Sequence, residues 1–500
     1  MSVLCPHCNL SIDDARGAAA ESCSGCGQPL AEPQADLSAI EAVFSQLGVG
    51  DQSAPRSPPS ILSPPREATF EAWNRRGVEL ANQRRYGDAI AAFSEALRLN
   101  PTSAKTLNNR GYAYAAQHAF ELAQADYDAA LALAPRFAEA HNNRGLVHMA
   151  RQSYRAAFAD FDAAVRASAK LTMGYLNRGF AAAALGDLQQ ALADMNQTLA
   201  LDPKVANAYH NRGWIYTALG EYELALRDYE TELSLKPGRA PAWYNRGVVW
   251  IAQGDFERAH GDLLRAAAIK PDMADAYYLL GDLHRSRGEL GKAVAHYTAA
   301  VERSPKFKLA WYHRAEGHFG LGEFHLAIAD YTRTLALDHE LPGAYDGRGL
   351  AYLAVGNGEQ AVADFRAAIE LSARASSAGE MLSTLPQDLT REAAPHVAAL
   401  RAAPKSWKAH LNFARFWLDA PNTVLRNPDA AIVLATRAGD LCSWREWRVV
   451  ETLALAHLAN GDAVLAAAAV ESALKIAPAD VQPQLQSLLR QARGGARRVE

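Results

Sequence analysis

The sequence predicts an all-α fold, an α-solenoid of stacked helix-turn-helix repeats that follows a small cysteine-rich segment and a flexible linker. Three observations predict it. A small residue recurs every 34 residues, at Gly77, Gly111, Gly145, Gly179, Gly213, Gly247, Gly281, Ala315 and Gly349. Alanine follows each by 12 residues, from Ala89 to Ala361, and a large side chain follows by 16, as Phe93, Tyr127, Phe161, Met195, Tyr229, Leu263, Tyr297, Tyr331 and Phe365. Proline closes most repeats, as at Pro101, Pro135, Pro203 and Pro237, where it cannot continue a helix. A repeat of this length cannot bury its apolar face alone and must stack on copies of itself.

The elements follow in order. Cys5 and Cys8 in CPHC and Cys23 and Cys26 in CSGC stand with 14 residues between the pairs. Two CxxC turns at this distance can aim four thiolates at one tetrahedral ion. Residues 1–30 thus resemble the zinc-ribbon group. The resemblance implies a structural zinc, because all four positions are cysteine and none is open for a catalytic water. His7 is read as a bystander and Cys442 as a packed thiol. Residues 31–48 place Leu37, Ile40, Phe44 and Leu47 on one helical face, to pack on the ribbon or the first repeat or to dock a partner. The proline-rich stretch within 49–67 reads as an extended linker that tethers the ribbon.

Residues 68–373 hold nine repeats, and their small, small, aromatic and proline signature resembles the tetratricopeptide repeat (TPR) family. On the first helix, Trp73, Tyr175, Tyr209, Trp243, Tyr277, Trp311 and Tyr345 are expected to fill space beside the helix crossing. One position departs from the family pattern. Arginine precedes the small residue at 76, 110, 144, 178, 212, 246, 314 and 348, and aspartate precedes the second-helix aromatic in each of these repeats except the first, which has Ala92. The co-occurrence predicts an ion pair between the two helices of one repeat. Residues 374–406 read as an irregular helical connector broken at Pro386, Pro395 and Pro404. Residues 407–493 read as two divergent repeats and a capping helix, and 494–500 as a disordered basic tail.

In TPR arrays the first helices line the concave wall, which the resemblance assigns here to Asn109, Asn143, Asn177, Asn211 and Asn245. A primary amide matches the donor and acceptor of a peptide unit, and the row resembles the asparagine ladder of O-linked N-acetylglucosamine transferases. The same asparagines could instead bond neighbouring repeats. Tyr112, Phe180 and Trp214 add apolar surface, Tyr244, Tyr278 and Tyr312 a second row, and Asp282 and Glu316 acid. Asn74, Asn108 and Asn142 stand where chaperone-clamp TPRs need basic residues, so that role is not expected.

The reading is a non-enzymatic scaffold that binds protein or extended peptide in the groove. No phosphate loop, nucleophile elbow or catalytic His and carboxylate set occurs, and His141, His210, His284, His313 and His318 recur at repeat positions. A net charge of −4 gives no general attraction to nucleic acid or anionic membrane. No apolar run nears the roughly 20 residues of a membrane span. MSVLCPHCNL lacks the features of a secretory signal, which predicts a cytoplasmic protein. The alternative, a ribbon-led nucleic-acid-associated or regulatory factor that uses the array for assembly, is weakened by Asp13, Asp14 and Glu21 against Arg16 in the ribbon.

Overall fold

Each glycine of the 34-residue series lies under the large side chain of its own repeat, and this contact sets how closely the two helices approach. A Cβ built on Gly77 would stand 2.5 Å from the Phe93 ring, one on Gly145 2.6 Å from Phe161, and one on Gly281 2.5 Å from Tyr297. Only glycine leaves room for these rings. The alanines 12 residues on, such as Ala89, Ala157 and Ala293, are fully buried at the same crossing.

The computed structural model describes residues 3–4, 11–12, 68–375, 385–420 and 426–496. The ribbon cysteines, the 31–48 helix, the 49–67 linker and residues 497–500 of the basic tail lie outside the described residues. Of the first segment, strands β1 (Val3–Leu4) and β2 (Ser11–Ile12) are described, and they pair antiparallel with Val3 opposite Ile12.

The chain divides into an N-terminal unit, residues 1–271, and a C-terminal unit, residues 272–500. The N-terminal unit contains six helix pairs: α1 (Phe70–Asn82) with α2 (Tyr86–Leu99), α3 (Ala104–Ala116) with α4 (Phe120–Leu133), and α5 (Ala138–Ala150) with α6 (Tyr154–Ala167). Then come α7 (Thr172–Ala184) with α8 (Leu188–Leu201), α9 (Ala206–Ala218) with α10 (Tyr222–Leu235), and α11 (Ala240–Ala252) with α12 (Phe256–Ile269). Within a pair the turn needs one left-handed residue. Gly186, Gly220 and Gly254 provide it in the later repeats, whereas Arg84, His118 and Gln152 adopt it in the first three. First helices of neighbouring repeats pack directly on one another, so they form the inner wall of the unit.

The C-terminal unit continues with α13 (Ala274–Ser286) and α14 (Leu290–Arg303), α15 (Lys308–Gly320) and α16 (Phe324–Leu337), and α17 (Pro342–Ala354) and α18 (Gly358–Ala375). In the segment expected to be an irregular helical connector, residues 385–402 form one helix, α19 (Leu385–Ala402), which packs on α18. Pro386 sits in its first turn, where the missing N–H costs nothing, and Pro395 is carried inside the helix. Two pairs follow, α20 (Trp407–Asp419) with α21 (Pro428–Cys442) and α22 (Trp447–Ala459) with α23 (Ala463–Ile476), and α24 (Gln482–Ala496) packs on α23. Trp417 is buried in the core that joins these pairs to the ninth repeat, 5.1 Å from the Phe365 ring. Cys442 is a half-buried free thiol beside Leu411 and Val449.

All seven Arg–Asp pairs form inside their own repeats. In each, Nε and Nη2 of Arg110, Arg144, Arg178, Arg212, Arg246, Arg314 or Arg348 donate to the two oxygens of one carboxylate at 2.6–2.9 Å. Arg76, opposite Ala92, has a buried Nε without a partner. The sequence reading missed the third donor. In six of the seven, all but Arg246, Nη1 reaches back to the preceding second helix, to Ser94, Asp128, Asp162, Asn196, Thr298 and Thr332 in turn. Each such arginine therefore ties three helices together.

Of the first-helix aromatics, Trp73 is buried beside Phe93 as expected. The rings of Tyr175, Tyr209, Trp243, Trp311 and Tyr345 lie beneath these guanidiniums, with Arg246 4.8 Å from the centre of Trp243 and Arg314 4.6 Å from that of Trp311, and Tyr277 lies under Arg303. Burial holds the Asp228 carboxyl above its ordinary range despite Arg212, while the bond to Asp228 raises the guanidinium. The two directions disagree on what the pair is worth. We weight the burial cost, which makes the pair nearly neutral overall and its half-removal costly. Asp228→Ala is expected to destabilise by roughly 2 kcal/mol, and Arg212→Leu with Asp228→Ala to recover most of it. Urea melts showing the single variant as stable as the parent would rule out a structural pair.

Candidate functional site

The inner wall of the N-terminal unit carries the asparagine row. Three of its five members bond the neighbouring repeat. Asn143 Nδ2 donates to Asn108 Oδ1 at 3.0 Å, Asn177 Nδ2 to Asn142 Oδ1 at 2.9 Å, and Asn245 Nδ2 lies 3.4 Å from His210 Nε2. Asn177 is only 4% exposed, so it joins repeats and is not a surface for a ligand. Asn109 and Asn211 are half-exposed and make no side-chain hydrogen bond with any described residue. The fourth and fifth repeats lack the link because Leu176 stands where Asn108 and Asn142 stand.

The apolar positions divide similarly. Tyr112, Phe180 and Trp214 are half-exposed; Tyr112 meets Tyr86 edge-on at 6.3 Å, and Phe180 and Trp214 rest one side on the repeat cores. Tyr244 is half-buried. In the C-terminal unit Tyr278 is 6% exposed, packed against Phe307 and His313, so it belongs to the joint between repeats and not to a binding surface. Tyr312 packs edge-on against Tyr331, and burial, with Glu316 next, raises its phenol.

Asp282 is likewise structural. It accepts from Tyr297 Oη at 2.6 Å and lies 3.1 Å from His313 Nδ1. Burial pushes its carboxyl up, but these donors outweigh burial and leave it below the ordinary range. Glu316 remains half-exposed, 3.7 Å from Arg285. The recurring histidines are held by structural partners: His141 by the Pro135 carbonyl, His284 by Glu289, His318 by Glu323 and His210 by Glu232. Among the described residues no three His, Cys, Asp or Glu are arranged to hold a metal.

The helix pairs, the glycine-on-aromatic crossings and the 34-residue register are matched by profiles of the tetratricopeptide repeat at residues 70–103, 108–171, 176–240, 218–273, 244–308 and 342–374. The chain belongs to the TPR family. Similar solved TPR structures include YrrB, a TPR protein with an unusual peptide-binding site, at 27% identity over 37% of this chain and 95% of that one, TM-score 0.34. MamA matches at 24% identity over 33% of this chain and 95% of its own, TM-score 0.31. A tetratricopeptide repeat protein from Parabacteroides merdae matches at 18% over 52% and 98%, TM-score 0.39. No curated protein matches the chain. None of the described TPR helices is long and apolar enough to cross a membrane.

One cluster escaped the sequence reading. At the junction of the fifth and sixth repeats Glu232 is fully buried, with Oε2 2.9 Å from His210 Nδ1 and Oε1 3.1 Å from Arg239 Nε. Arg239 also donates to Asn207. The signal was a break in a series: Glu232 stands where other repeats have Ala96, Ala130, Ala164, Thr198, Ala266, Ala300 and Thr334.

Proposed function

We propose that the chain is a non-enzymatic scaffold whose inner wall holds extended polypeptide, largely by its backbone. The observation that carries this is the state of Asn109 and Asn211. Each presents a whole amide, two donors and an acceptor, with no partner among the described residues, on the wall built from first helices. Asn143 and Asn245 each keep one edge of the amide free beside them, and Tyr112, Phe180 and Trp214 add apolar contact without fixing a side-chain sequence.

The test uses these unencumbered amides. Each is expected to contribute on the order of 1 kcal/mol, so Asn109→Ala with Asn211→Ala should bind an extended peptide library roughly 30-fold more weakly. The melting temperature should not move, because no protein hydrogen bond is lost. Equal binding by parent and variant would refute the backbone-ladder reading.

We further infer a structural zinc on Cys5, Cys8, Cys23 and Cys26. The β1–β2 pairing supports it, since Cys5 and Cys8 fall in the sequence between the two paired strands. Protein purified under reducing conditions should contain about one zinc per chain by elemental analysis. Metal-free protein with four titratable thiols in this segment would end the proposal.

A further inference from the structure

The fifth–sixth junction differs from its neighbours in three places at once, and at the other junctions of the N-terminal unit all three positions are apolar or uncharged. Glu232 replaces alanine or threonine, Arg239 replaces residues such as Phe137, Leu171 and Val205, and His210 replaces Asn108 and Asn142. The small residues packed well at the other junctions, so packing gives no reason for a buried charge here. What the change creates is a link between a titratable ring and the groove. Asn245 is the one member of the asparagine row whose amide meets an imidazole and not another amide.

We propose that His210 is a proton-operated control of the groove: gain of a proton turns the Asn245 side-chain amide over and reverses the hydrogen-bonding group it shows to a bound polypeptide. In the neutral ring Nδ1–H donates to Glu232 and the Nε2 lone pair accepts from Asn245 Nδ2. The Asn245 carbonyl oxygen, which has no partner among the described residues, is then the edge left for a bound polypeptide. In the cation both ring nitrogens donate. Nε2–H cannot face an N–H, so the amide must rotate to offer Oδ1 to the ring, and its NH2 takes the outward place.

The groups around the ring allow the cation. Glu232 on α10 receives Nδ1–H in both states, Arg239 at the start of α11 neutralises the same carboxylate, and the Tyr229 ring stands edge-on at 6.0 Å. Asp228 is the next acid on α10, and it is committed to Arg212. A hydrogen-bond acceptor matched to a peptide N–H thus becomes a donor opposed to it.

The amide turn can be read without any ligand. In the full chain, with histidine ring and asparagine side-chain nitrogens isotopically labelled, NMR across pH 5 to 8 should show the His210 ring titrating and the Asn245 NH2 resonances moving with the same midpoint. A His210 ring that holds one charge state throughout, or an Asn245 amide that ignores its titration, overturns the proposal.

The binding arm rests on the groove reading, and uses a capped, uncharged, extended peptide of serine, leucine and tyrosine. The parent should bind it roughly fivefold more weakly at the acid end. His210→Asn, the residue that serves at the second and third junctions, should bind with no pH dependence. A pH dependence kept by His210→Asn also overturns the proposal. If the parent binds no peptide at any pH while Asn245 still follows His210, the groove reading fails and the switch stands.

Discussion

Replacing Glu232 by alanine, the residue found at this position in most other repeats, is expected to destabilise the N-terminal unit by about 3–5 kcal/mol. The substitution restores the usual small side chain but leaves the Arg239 guanidinium and the His210 ring facing the space without their carboxylate. An uncompensated buried charge costs more than the intact cluster contributes, so the loss comes from what remains. Glu232→Ala combined with Arg239→Leu and His210→Asn should therefore regain most of the stability. Hydrogen exchange localises the effect, since α9, α10 and α11 should open first. If the single variant melts with the parent, the cluster is hydrated and Glu232 is not a structural partner.

The second large effect has the opposite sign. Asp346 on α17 is half-buried and accepts no hydrogen bond from a described residue, and its carboxyl is pushed up to about 6 by burial, then by Asp429 and Asp364. A folded value above the unfolded one means that the native state favours the proton. This stabilisation is complete below about pH 4 and is lost as the pH rises through about 6. Asp346→Asn is therefore expected to raise stability at pH 7.5 by about 2–3 kcal/mol and to bring no gain at pH 4. Thermal melts of parent and variant at the two pH values give the comparison. A variant that is no more stable at pH 7.5 would show that Asp346 keeps its water.

Both effects sit at positions where the repeat pattern is broken, and this marks the boundary of what could be read in advance. Gly77, Ala89 and Phe93 and their counterparts announce the helix pair because a fixed close crossing demands the same small and large residues in every repeat. Asp126 and its counterparts announce the partner of each arginine, because the two change together at the seventh repeat, where Leu280 and His296 replace both, and only Arg76, opposite Ala92, stands without its aspartate. The third arm of the arginine was not legible. Its acceptors are Ser94, Asp128, Asn196 and Thr298, and a hydrogen bond from a guanidinium asks only for an oxygen, so chemistry without a single residue type leaves a faint pattern.

The candidate site shows the same limit more sharply. Asn109, Asn143, Asn177, Asn211 and Asn245 are identical letters at identical register, yet Asn109 and Asn211 have whole amides free while Asn177 is buried against Asn142. What separates them is the state of the residue 35 positions earlier: Asn108, Asn142 and His210 accept or meet the amide, Leu176 offers Asn211 no partner, and Asn74, before Asn109, accepts from Thr106 instead. Tyr278 and Asp282 were assigned to the wall and belong to the joint between repeats for the same reason.

The sequence by itself determined the repeat, its length, its crossing and its internal ion pair, because each is a contact within 34 residues that recurs with the period. Only the tertiary structure decided which polar side chains join one repeat to the next and which remain open. That choice depends on the distance between side chains on adjacent first helices, and a buried amide must find a partner wherever the neighbouring repeat offers one.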